Sequence, residues 1–194
     1  MKQSKILLDT CSYFRLARCL HPLLGDPFGV ENYCLYIIED LIIEYENQQR
    51  LHNKYGEWFN KPEYKDNRKK KIKLSPQEQI EYERAFDIIL KSYPDKLYYV
   101  SLPDIKILSF AYVLKIPFVT DDENLILLAK EFKVKIRNSL DLLKLMLDCK
   151  RISLEDIRNT VKYWLYIRDL PKGFKKDYEK LFEENPPSDY VNGF

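Results

Sequence analysis

Glycine and histidine are scarce in this chain, with 5 Gly and 2 His among 194 residues. So few glycines exclude a collagen-like or low-complexity chain. The histidines, His21 and His52, stand in no nucleophile or zinc motif, which leaves them packing or surface roles. Cysteine is thin as well. Cys11, Cys19, Cys34 and Cys149 lie far apart with no CxxC pair, so neither a zinc site nor a disulfide framework is indicated. No long apolar run is present near the start: Ile6-Leu7-Leu8 is closed at once by Asp9. That run is too brief for a signal peptide or a membrane span, so the expected location is the cytoplasm. Neither sign of charge dominates, with 32 Lys+Arg against 30 Asp+Glu, so any attraction to nucleic acid has to come from a local patch.

What is present describes a folded α/β protein. The chain is 45% hydrophobic and 32% charged, and its length suits one domain with an appendage. Short apolar runs at Lys5–Leu8, Leu97–Val100, Pro117–Thr120 and Val134–Ile136 read as buried strands. Tyr33–Ile38 reads as a strand or the lead into a helix. Between them lie helical stretches. Ile38, Leu41, Ile42 and Tyr45 follow the i, i+3, i+4, i+7 rule and predict one helix over about 38–51. Ser75-Pro76-Gln77-Glu78 reads as a helix start running to about Ser92, and Ser101-Leu102-Pro103-Asp104 opens another over 105–114. A further helix is expected over 123–132. Alternation of this kind implies a mainly parallel sheet of about five strands flanked by helices. One α/β unit over 1–150, with an insert at about 50–75, is followed by a helical extension over 151–194. In that extension Leu154, Ile157, Val161, Trp164 and Leu165 form one apolar stripe, which packs onto the domain or forms a partner or dimer surface.

The insert supplies the local patch. Residues 50 to 73 include Arg68, Lys69, Lys70, Lys71 and Lys73, with Tyr55, Trp58, Phe59 and Tyr64 interleaved. Cations beside aromatic rings suit phosphate neutralisation and base stacking on a single strand of RNA. A solvated loop that keeps the chain soluble accounts for the same residues equally well.

Acidic residues recur at one structural place. Asp9 ends the first strand, Asp104 opens a helix just after a strand, and Asp121-Asp122 end another strand. In an open parallel sheet the carboxyl ends of the strands share one edge, where such folds place ligands. Each acid alone reads equally well as a helix cap. Glu44 lies mid-helix and cannot be a cap; Asp40 and Glu39 are its neighbouring rivals. Several carboxylates in one cleft raise each other's pKa, so a cation is needed among them, and oxygen-only donors suit Mg²⁺ or Mn²⁺.

The segments Ile6-Leu7-Leu8-Asp9-Thr10, Glu44, Asp104-Ile105-Lys106-Ile107-Leu108-Ser109-Phe110-Ala111 and Phe118-Val119-Thr120-Asp121-Asp122-Glu123-Asn124-Leu125 resemble the four signature segments of PIN domains, especially VapC-like toxins. The resemblance covers about residues 3 to 140. It implies a Mg²⁺- or Mn²⁺-dependent ribonuclease, with Asp9, Glu44, Asp104 and Asp122 as the acids and Thr10 and Thr120 as supporting hydroxyls. The doublet leaves Asp121 as a second candidate for the fourth ligand. The resemblance further implies an RNA substrate and an antitoxin protein as partner. Two other readings stay open: a PIN-like module that binds RNA or protein without cutting, and a phosphotransfer enzyme with Asp9 as nucleophile. The latter lacks the second Asp two residues on, where Cys11 stands.

Overall fold

The computed structural model describes residues 3–92 and 99–188. Its centre is a parallel sheet whose strands are β1 (Ser4–Leu8), β2 (Tyr33–Tyr36), β3 (Phe118–Val119) and β4 (Ile136–Arg137), in the order β2-β1-β3-β4. In register, Leu7 lies opposite Tyr36 on one side and Phe118 on the other, and Val119 lies opposite Arg137. The chain leaves β1 toward β2 and leaves β3 toward β4. Connections therefore diverge between β1 and β3, where a parallel sheet opens a crevice beyond its carboxyl ends.

The strand count is four among the described residues, not five. Of the expected strand Leu97–Val100, residues 97 and 98 lie outside the described residues. Tyr99 and Val100 form no strand: Val100 is buried in the core and the chain passes directly into the next helix.

Side-chain alternation along the strands builds two cores. Ile6, Leu8, Leu35, Ile37 and Val119 face one layer, made by α1 (Thr10–Ala17), α3 (Gln49–Phe59), α8 (Ser139–Asp148), α9 (Leu154–Tyr166) and α10 (Phe174–Phe182). Leu7 and Phe118 face the other, made by α5 (Pro76–Ser92), α6 (Leu102–Leu114) and α7 (Glu123–Glu131). The C-terminal helices share the first core: Ile157, Val161, Tyr163 and Trp164 are fully buried with Tyr13, Phe14 and Leu16 of α1.

The single helix expected over 38–51 is two, α2 (Asp40–Asn47) and α3, parted by Gln48 in an extended conformation (φ −119°, ψ 102°). The break lets α3 turn its own stripe, Leu51, Tyr55, Trp58 and Phe59, into the first core. Residues expected as an insert thus form α3 and α4 (Pro62–Asn67), after which Lys71 bridges in parallel to Ile37 beside β2. With glycine scarce, helix ends are closed by larger residues: Lys115, Lys133, Lys150, Arg168 and Glu183 all adopt left-handed backbone, φ 52° to 57°.

Candidate functional site

Asp9 leaves β1 and caps α1, its Oδ1 accepting the Ser12 N–H at 2.6 Å. An N-cap acid suits the positive end of the helix, yet here it is almost wholly buried, at 5% exposure. Asp9 shares a narrow crevice with Asp40 and Asp104, closed below by Leu8, Ile38, Leu41 and Ile107. Asp104 reaches that place because Ser101 and Asp104 form a capping box at the start of α6. Glu44 joins from α2, one turn beyond Asp40, and its Oε2 accepts the Thr10 hydroxyl at 2.7 Å. Gln48 Nε2 holds its other oxygen at 2.9 Å.

Thr120, fully buried at the end of β3, ties the first acid to the fourth. Its hydroxyl bonds to the Asp9 carboxylate and accepts the Asp122 N–H at 3.1 Å. Asp122 is exposed and caps α7 through the Leu125 N–H at 2.9 Å. Asp9, Glu44, Asp104 and Asp122 therefore gather at the carboxyl edge of β1 and β3, with Thr10 and Thr120 between them.

Electrostatics separates these acids from ordinary caps. Burial pushes the Asp9 carboxyl up to about 7 against hydrogen bonds from Ser12 and Thr120, and Asp121 adds to the rise. Burial likewise raises Asp104, with Asp122 and Glu44 contributing. No cation is among the principal influences on either group. Asp40, by contrast, is neutralised by an ion pair with Lys106 of α6.

A raised carboxyl makes the folded state hold an extra proton between its unfolded value near 3.8 and its folded value near 7. Stability is thus greatest at acid pH and falls as pH rises through 7, by an upper bound of about 4 kcal/mol for so buried a group. We expect the melting temperature without divalent ions to drop between pH 5 and pH 8. Mn²⁺ should raise it more at pH 8 than at pH 5; an equal increment at both would argue against ion binding at Asp9.

Asp121 belongs to a different network. Its carboxylate accepts from Arg15 Nη1 at 2.6 Å and from the Ser139 N–H at 3.0 Å, so it satisfies the first amide of α8, whose N-cap is Asn138, and pairs with a buried arginine. The same Arg15 donates through Nη2 to Asp169 Oδ1 at 2.6 Å, and Asp169 also takes Lys54 and the Tyr55 hydroxyl at 3.2 and 3.0 Å. Arg15 and Asp169 are absent from the sequence-based site, although a charge inside the apolar stretch Tyr13-Phe14-Arg15-Leu16 signals a buried partner. Replacing Arg15 by Met should cost about 3 kcal/mol in urea unfolding, because Asp121 loses its counter-charge and Asp169 keeps only Lys54 as a cation. A loss below about 0.5 kcal/mol would show the pairs to be solvated.

The basic stretch is less available than its composition suggests. Arg68 is 4% exposed, donates to the Phe59 carbonyl at 2.6 Å and stacks its guanidinium 3.4 Å from the Phe59 ring centre. Trp58 and Phe59 are buried in the first core, so stacking of RNA bases on them, expected from sequence, does not fit. Lys69 pairs with Asp66 and Lys71 with Glu39. Lys70 and Lys73 are exposed, and the Lys70 stem lies against Gly25, whose φ of +82° leaves the space it fills.

The donor set of the crevice, carboxylates and hydroxyls, suits a hard divalent cation. As the side chains stand, Asp9, Asp104 and Asp122 each commit an oxygen to their own helix caps. Among the described residues no three His, Cys, Asp or Glu converge to hold an ion. The crevice thus fits the cation in chemistry and charge, and engagement requires side-chain rotation. No protein-family model matches the sequence, and no curated protein matches it significantly. Among the described residues no helix is long and apolar enough to cross a membrane.

Proposed function

We propose that the chain is a PIN-type, Mg²⁺- or Mn²⁺-dependent endoribonuclease, acting as the toxin of a toxin–antitoxin or defence pair. One observation carries the reading: Asp9 and Asp104 line one crevice at the carboxyl edge of the sheet, both raised by burial and by other carboxylates, while the cation Lys106 is taken by Asp40. Asp9, Glu44, Asp104 and Asp122 would hold the ion. The chemistry it supplies when bound is activation of water and counter-charge for the leaving oxyanion of a phosphodiester.

The remaining residues position these acids. Thr120 holds Asp9, Thr10 holds Glu44, and Ser101 holds Asp104, which restricts each carboxylate to a few rotamers near the crevice. Asp121, fixed by Arg15 and Ser139, takes the structural part, which favours Asp122 as the fourth acid. Lys70 and Lys73 remain as exposed phosphate contacts, and an antitoxin covering the crevice is the expected partner.

A second reading, a PIN-like module that binds without cutting, draws on the engagement of Asp9, Asp104 and Asp122 in local helix caps. Incubation of the purified chain with single-stranded RNA and Mn²⁺, against a chelator control, separates the two. Cleavage that stops with chelator supports the nuclease; retention of intact RNA in both arms supports the module.

A further inference from the structure

A sizeable cavity is at the other edge of the sheet from the carboxylates. It occupies about 510 Å³ between the middle of α5, the end of α6 and the turn joining α7 to β4. Ile116 and Lys135 in its wall stand two residues before β3 and one residue before β4, which puts the cavity at the amino ends of those strands. Its wall is mainly apolar: Ala85, Ile88, Tyr112, Ile116, Phe132 and Val134. Two of these are unusually open for their size, Ile88 at 61% and Tyr112 at 47% exposure. Tyr112 meets Phe132 edge to face, ring centres 6.2 Å apart, so the ends of α6 and α7 are held together at the cavity floor.

Charge at this cavity is one-sided. Arg84, Lys115, Lys133 and Lys135 line it with one acid, Glu81. None of the four cationic side chains takes an ion pair or hydrogen bond among the described residues. Elsewhere on this protein exposed lysines often find acids, as Lys69, Lys144 and Lys172 do. A cation at a helix end is favourable on its own account, which covers Lys115 and Lys133 but not Arg84 in mid-helix or Lys135.

We infer that this cavity binds a small amphiphilic anion: an apolar body about 10 Å long carrying one acidic head group. The length follows from the α5 stripe Glu81, Arg84, Ala85 and Ile88, whose first and last members are seven helical rises of about 1.5 Å apart. The volume lies in the range of small-molecule sites, which are largely apolar with a few charged groups to orient the ligand. Burying the body covers Ile88 and Tyr112, and the four-cation rim recognises the head. The site is separate from the carboxylate crevice, and the inference stands whether or not the chain cuts RNA.

Decanoate is the probe, titrated into the full chain by calorimetry beside decyl phosphate and decyltrimethylammonium. Both anions should bind one to one and the cation should not; the tighter of the two anions identifies the head group. The double variant Lys133→Glu, Lys135→Glu should weaken decanoate binding about tenfold or more, and so should Ile88→Glu. Circular dichroism checks that each variant is folded; these three positions are exposed, so the fold should hold. Equal binding of the cation, unchanged affinity in both variants, or binding only of an acidic amphipathic peptide would overturn the inference.

Discussion

Under the proposed nuclease function, Asp9→Asn should lower Mn²⁺-dependent RNA cleavage roughly 100-fold or more, and should at the same time make the chain more stable at pH 8. A ligand contributing several kilocalories to the reaction accounts for the first effect, at about 1.4 kcal/mol per tenfold. The second follows from burial. Asp9 is 5% exposed and its carboxyl is raised to about 7, so at pH 8 the wild-type protein holds a charge in an apolar wall that the neutral amide removes. Asparagine keeps an oxygen to accept the Ser12 N–H and so preserves the cap. The opposite signs make the result diagnostic. Simple misfolding lowers both activity and melting temperature, whereas loss of a buried anion lowers only activity. Asp104→Asn should follow the same pattern with a smaller stability gain, since Asp104 is only half-buried.

The largest structural effect should come from Trp164→Ala. Trp164 is fully buried, packs edge-on to Phe174 at 6.2 Å and donates its indole N–H to the Arg15 carbonyl at 2.8 Å. Truncation removes a large apolar surface, leaves a cavity and orphans that carbonyl, at a cost of about 3–5 kcal/mol. For a chain of this size that is a fall of roughly 10–15 °C in melting temperature. Calorimetry that finds a shift under about 3 °C would mean that α9 contributes little to the first core.

Much of this arrangement is legible in the residues. Apolar runs halted by acids locate β1 and β3, and the parallel order follows from the helices between them. That same logic brings Asp9, Asp104 and Asp122 to one edge of the sheet. Tyr33–Ile38 is legible as the second strand, although it ends at Tyr36. What stays hidden is mostly tertiary. The Leu97–Val100 run has strand composition, but Val100 finds its burial between helices instead of along a strand neighbour. The apolar stripe lapses at Gln48 and Gln49 and resumes out of phase at Leu51, so the turn between α2 and α3 does leave a mark, which reading one helix over 38–51 passes over. The basic stretch misleads because its charges and rings are counted together. Its aromatics fill the core while Arg68 turns inward with them, and only the lysines remain outside. Asp169 is invisible because its partner Arg15 is 154 residues away.

Five helices end in a residue whose β-carbon crowds its own carbonyl, the left-handed positions at Lys115, Lys133, Lys150, Arg168 and Glu183. Glycine is the usual occupant of such places, and each larger residue carries a strain on the order of 1 kcal/mol. The backbone was therefore shaped by the packing around it and not by local preference at these corners. Heat tolerance has headroom there that requires no change to the interior, and selection for a hardier variant should find its first gains at helix termini.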